Sequence, residues 1–148
     1  MLSTIRKQGL GRSGFTLLEL MVVMVILVLL ASVVSMVVMK RVEEAKHAKA
    51  VTDIASISGA LDQFCLHCGR YPTTEEGLQA LKVKPQSADL PNWAGPYIKR
   101  AVPPDPWTRP YIYRSPGEHD PESYDLYSLG RDGKEGGEGP DADIVNWD

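Results

Sequence analysis

The run from Phe15 to Met39 is 25 residues long and carries a single charge, Glu19. No other stretch of the chain restricts its fold so strongly. At about 1.5 Å per residue the run extends roughly 37 Å as a helix, enough to cross a hydrocarbon core of about 30 Å with some tilt. One membrane pass is therefore the first expectation. Arg6, Lys7 and Arg12 precede the run and no acid does, so the positive-inside rule keeps the N-terminus cytoplasmic and carries the rest across. A secretory signal would have a shorter apolar region, about 7–15 residues, ending at a small-residue cleavage site. Here the run is longer and passes into Met39, Lys40 and Arg41. The lone carboxylate then needs a partner, because an acid at the bilayer centre costs about 2.5–3.5 kcal/mol even on the lenient insertion scale.

Beyond Met39 the pattern changes. Val42, Ala45, Ala48, Val51, Ile54, Ile57, Leu61, Phe64 and Cys68 recur at steps of three or four, which predicts one buried helical stripe. No proline falls between Phe15 and Cys68 and Gly59 is the only interior glycine, so a single helix over about 15–67 is expected. Gly69 ends it, and Thr73 with Glu76 forms a capping-box pattern for a short second helix near 74–82. Seven prolines in residues 83–110 predict an ordered irregular loop. Residues 111–114 (YIYR) and 124–130 (YDLYSLG) alternate apolar and polar residues around a Pro/Gly turn, and read as two antiparallel strands. The apolar end, Ile144, Val145 and Trp147, is expected to dock back on the domain. The fold class is thus α+β: a long N-terminal helix, its first half transmembrane, packed on a small domain with a short antiparallel sheet.

The formal charge is −3, and without the three leader cations it is −6, so nucleic acid is not an expected partner. Ten Asp or Glu against two Arg or Lys between Glu118 and Asp148 call for either a solvated loop or a bound cation. A hard dication such as calcium takes six to eight carboxylate and carbonyl oxygens, which this glycine-permitted loop can offer. No window satisfies the EF-hand rule, and GGEGPDADI fails the nonapeptide repeat because Asp143 stands where an apolar residue is needed. Cys65 and Cys68, the only cysteines, lie on the non-cytoplasmic side; an even count there favours a disulfide, with free core thiols as the alternative. No zinc spacing, P-loop, HExxH or nucleophile elbow occurs, and no catalytic residue is assigned.

The stretch KQGLGRSGFTLLEL resembles the class III signal of type IV pilin-like proteins. The stretches RYPTTEEGLQAL, PPDPWTRPY, SPGEHD and SLGRDGKEGGEGPDADIVNWD, in this order, resemble the major pseudopilins of type II secretion systems, the general secretion pathway protein G (GspG) family. The resemblance covers nearly the whole chain. It implies a pilin-like fold, with a leader (1–14) removed by a prepilin peptidase between Gly14 and Phe15, methylation of the new Phe15 amine, a transmembrane and filament-core helix (15–39), and a periplasmic globular domain (40–148). It further implies a single-pass protein of the bacterial inner membrane that assembles with itself into a helical homopolymer, the periplasmic pseudopilus. The partners implied are minor pseudopilins, the inner-membrane assembly platform, the secretin and the folded exoproteins that the filament drives through it.

In that setting Glu19 is expected to pair with the Phe15 amine of an adjacent subunit and set axial register; the alternative is that it reaches headgroups at the interface. The resemblance places calcium in the acidic loop, on the Asp132 side chain and the Leu129 carbonyl at one end and the Asp141 to Asp143 segment at the other, with a carbonyl near Lys134 in addition. Which of Asp141 and Asp143 binds stays open. The other readings are a minor pseudopilin or type IV pilin for adhesion or DNA uptake, and a membrane-anchored periplasmic binding module that keeps residues 1–14.

Overall fold

The computed structural model describes residues 14–86 and 89–147. The leader expected over 1–14 lies outside them except for Gly14. One helix, α1 (Leu17–Cys68), runs through the apolar segment and on into the amphipathic one without interruption. The chain divides into two compact units between Lys40 and Arg41.

In the first unit α1 is long and apolar enough to cross a membrane, and the window that qualifies it buries nothing within the chain. Thr16 starts the helix: the Leu20 N–H donates to the Thr16 carbonyl and the Glu19 N–H donates to Thr16 Oγ1, both at 3.2 Å. Ser32 and Ser35 donate back to the carbonyls of Leu29 and Ala31, which satisfies their hydroxyls inside an apolar segment.

In the second unit α1 buries Ala50, Ile54, Ile57, Leu61 and Phe64, with Cys68 partly covered. The stripe is therefore shorter than the sequence pattern predicts: Val42, Ala45, Ala48 and Val51 are exposed. Steps of three from 42 to 48 walk backward around a helix with 3.6 residues per turn, whereas the alternation 50, 54, 57, 61, 64, 68 keeps pace with it. Full burial of Leu61 and Phe64 stabilises the unit by about 1.5–3 kcal/mol each.

Gly69, at φ 75°, turns the chain out of α1. The capping box forms as expected, with the Glu76 N–H donating to Thr73 Oγ1 at 3.2 Å and the Thr73 N–H to Glu76 Oε2 at 2.9 Å. It does not open the second α-helix predicted for 74–82. A turn leads only into a single 3-10 stretch, Leu78–Leu81. Gly77 stands at φ 58°, ψ −170°, outside helical space, and the Glu76 carboxylate is also held by both terminal nitrogens of Arg70 at 2.7 and 2.8 Å.

The proline-rich segment is irregular, as its composition predicts. Strands β1 (Ile112–Arg114) and β2 (Asp125–Ser128) pair antiparallel with Tyr113 opposite Leu126. The docking C-terminal segment adds a third strand, β3 (Ile144–Val145), placing Ile144 opposite Ser128 in the order β1-β2-β3. All four residues of β2 are buried, and the core between sheet and α1 holds Leu126, Tyr113, Tyr124, Ile144 and Phe64.

Candidate functional site

The acidic loop joins β2 to β3. A tight turn, with the Gly133 N–H donating to the Leu129 carbonyl at 3.2 Å, is capped by Asp132, whose Oδ1 accepts the Lys134 N–H at 3.0 Å. The return is a 3-10 turn over Gly139–Asp141. The two limbs approach closely at glycines: a Cβ on Gly130 (φ 60°) or on Gly137 (φ 94°) would stand 2.5 Å from the carbonyl oxygen of Ala142 or Asp141, respectively. Only residues without side chains permit this closure.

The two candidate carboxylates differ in what they hold. Asp141 accepts from Arg131 Nε and its terminal nitrogen at 2.8 and 3.0 Å, a bidentate pair that holds its carboxyl below the usual range. Asp143 accepts the Gly136 N–H at 2.9 Å through Oδ2, while its Oδ1 is buried without a partner. Among the described residues no group of three or more Asp, Glu, His or Cys side chains is placed to hold a metal by itself. A cation here would have to draw on backbone carbonyls as well, and the donors in reach are all oxygens, the set that suits a hard dication.

The sequence reading assigned no role to Asp105 or Arg109, which brace this loop from the proline-rich segment. Asp105 is buried and accepts the N–H groups of Trp107 (3.0 Å) and Arg109 (2.8 Å) through Oδ1 and the Ser128 hydroxyl (2.6 Å) through Oδ2. Those bonds hold Thr108 at φ 72°, a conformation that strains a β-branched residue by about 1–3 kcal/mol. The Arg109 guanidinium donates to the Gly130 carbonyl and packs on Gly133. The signal was present in DPWTRP, an acid flanked by prolines two residues before a tight turn, but its partner Ser128 lies 23 residues away. Trp107 also donates its indole N–H to Glu43 on α1 at 3.0 Å, which with Lys46 holds the Glu43 carboxyl low.

Asp125 was likewise missed. Burial would raise its carboxyl, yet the His119 ring (3.0 Å) and the backbone N–H of Glu118 (2.9 Å) keep it below the usual range. His119 in turn stacks on Trp147, ring centroids 3.9 Å apart, so the chain end is pinned to the sheet as its apolar composition predicts.

The family model described as "Type II secretion system (T2SS), protein G" matches residues 37–147, and a prokaryotic N-terminal methylation motif matches 10–39. The chain belongs to the type II secretion system protein G family. A type II secretion system core protein G from Vibrio cholerae is 49% identical over 97% of this chain and 94% of its own length; one from Pseudomonas aeruginosa is 50% identical over 93% and 96%. A crystal structure of the major pseudopilin from the type 2 secretion system of enterohaemorrhagic Escherichia coli is similar, with TM-score 0.60 and 36% identity, over 74% of this chain and 92% of that one.

As a member of this structural pseudopilin family with an apolar N-terminal helix, the chain is a membrane-anchored periplasmic protein. The methylation motif spans Gly14, Phe15 and Glu19. Glu19 is exposed three residues after Thr16 in the pattern Thr-x-x-Glu, so it also stands where the positive end of the helix favours a carboxylate. Cys65 and Cys68 are free thiols at the C-terminal end of α1, both half-buried.

Proposed function

We propose that this chain is the major structural subunit of a type II secretion pseudopilus, cleaved between Gly14 and Phe15, methylated on Phe15, and polymerised with itself from the inner membrane into a periplasmic filament that drives folded exoproteins through the secretin. Minor pseudopilins, the assembly platform and the prepilin peptidase are its other partners, and it is not an enzyme. The observation that carries this reading is α1 itself. One unbroken helix presents its first half to the surroundings on every side and buries one stripe of its second half, as a subunit needs if neighbouring helices are to cover it. Glu19 then pairs with the Phe15 amine of an adjacent subunit, which offsets the cost of placing an acid in an apolar layer.

Calcium belongs to the same reading. Asp132 and Asp143, with the carbonyls of Leu129 and Lys134, are the groups that would hold it, while Asp141 serves as the clasp for Arg131. The partnerless Oδ1 of Asp143 supports this choice between the two acids. When bound, the cation would neutralise the loop's carboxylates and draw its two limbs together.

Intact-mass analysis of the membrane-extracted protein tests the processing: loss of 14 residues with gain of one methyl is expected, and a retained leader points to a membrane-anchored binding module instead. Glu19→Ala is expected to insert normally and assemble poorly. Secretion at the wild-type level by that variant would refute the pairing.

A further inference from the structure

We propose that Cys65 and Cys68 are a modification site, oxidised to an intramolecular disulfide by a protein disulfide donor of the periplasm, and that the bridge clamps the last turn of α1. Both thiols are half-buried and they are the only cysteines in the chain. Residues three apart on a helix are neighbours on its surface, so each thiol is the other's nearest possible partner. Cys68 is the last residue of α1, and the Gly69 N–H closes the helix on the Cys65 carbonyl at 2.7 Å. The pair therefore brackets the final turn.

The surroundings decide which role the pair takes. Burial pushes the Cys65 thiol up, and the charges of Asp62 and Cys68 add to the effect. The C-terminal end of a helix also disfavours an anion, whereas reactive Cys-x-x-Cys pairs sit at helix N-termini. These thiols are recipients of oxidation and not exchange catalysts. Cys68, Tyr71 and Tyr97 each pack against the core. The Tyr97 hydroxyl accepts the Ala94 N–H at 3.1 Å and lies 3.1 Å from His67 Nδ1, so the end of α1 is tied to the segment around 94–97.

The chemistry balances within the pair and its donor. The thiolate of one cysteine attacks the donor's disulfide to give a mixed disulfide, and the second cysteine displaces the donor. Two protons leave Cys65 and Cys68, and the two electrons reduce the donor's disulfide to a dithiol. Geometry then sets the consequence. Cβ atoms three apart on an α-helix are about 5–6 Å from each other. A disulfide wants about 3.5–4.5 Å. The last turn must tighten toward the 3-10 spacing, in which residues i and i+3 eclipse, a finish that helix ends accept readily. The Gly69 N–H accordingly moves from the Cys65 carbonyl toward that of Leu66. So small a loop contributes little chain entropy, and the expected rise in melting temperature is only about 5 °C.

The test isolates the full chain from membranes with its thiols blocked by an alkylating agent at lysis. The expected mass spectrum shows no alkylated cysteine before reduction and two after it, with one alkylated in each of Cys65→Ser and Cys68→Ser. Reduction is expected to change hydrogen exchange at Gly69 and to lower the melting temperature by about 5 °C, and the double serine variant should lose both responses. Two freely alkylating thiols, a covalent dimer, or thiols protected by a metal that a chelator removes would each overturn the proposal. The inference rests on periplasmic exposure, which digestion of residues 41–148 by a protease added outside intact spheroplasts reports independently.

Discussion

Replacing Asp105 with Ala removes the acceptor for three donors at once: the N–H groups of Trp107 and Arg109 and the Ser128 hydroxyl. Its side chain is 1% exposed, so water cannot take over these bonds without opening the loop. An unsatisfied buried donor costs about 1–3 kcal/mol, and with partial relaxation the three together should cost about 3–5 kcal/mol. Against a total stability of about 5–15 kcal/mol that is a severe loss. For a unit of about 100 residues, where each kcal/mol shifts the midpoint by about 4 °C, melting should fall by about 12–20 °C. The assay is near-ultraviolet circular dichroism of the full chain in detergent, which reports the tryptophans and tyrosines of the second unit. Asp105→Asn keeps an oxygen for the two backbone donors and should lose only about a third as much. Combined with Ser128→Ala, Asp105→Ala should cost less than the sum of the two single changes. A fall of less than about 4 °C for Asp105→Ala would refute the argument that this carboxylate organises the proline-rich segment.

Two further outcomes are expected. Calcium should raise the melting temperature in wild type and in Asp141→Asn but not in Asp143→Asn, by ligand linkage measured with and without chelator; equal responses in both variants would remove the distinction drawn from Arg131. Asp125, whose carboxyl is held low in the fold, contributes stability that is present above its unfolded value of about 3.9 and lost as pH falls through the lower folded value. Acid titration of the melting temperature should therefore steepen below about pH 4, and Asp125→Asn should flatten that limb while lowering stability at neutral pH.

The apolar run, the basic leader before it and the helix from Leu17 to Cys68 were legible in the sequence because each rests on local composition or a 3.6-residue period. So were the capping box at Thr73 and the strands around Tyr113 and Leu126. What the sequence could not decide was which exposed-looking positions would be covered. Val42 and Val51 belong to the apolar pattern yet face outward, because the core covers only the face of α1 that carries Ala50, Ile54, Ile57, Leu61 and Phe64, and the contact nearer the start of the unit is the polar one from Trp107 to Glu43. Gly77 stopped the second helix through a backbone conformation that the pattern of neighbouring residues does not encode.

The loop shows the same division. Its acids and glycines are visible in SLGRDGKEGGEGPDADI, and composition alone determines that it is negatively charged and free to bend. Tertiary structure decided that Arg131 takes Asp141, that Asp143 keeps an oxygen without a partner, and that Arg109, beside Asp105, holds the loop from 21 residues upstream of Gly130. Periodicity and composition act between near neighbours and can be read in order along the chain. A carboxylate's partner is set by whichever donor the folded backbone brings within about 3 Å of it.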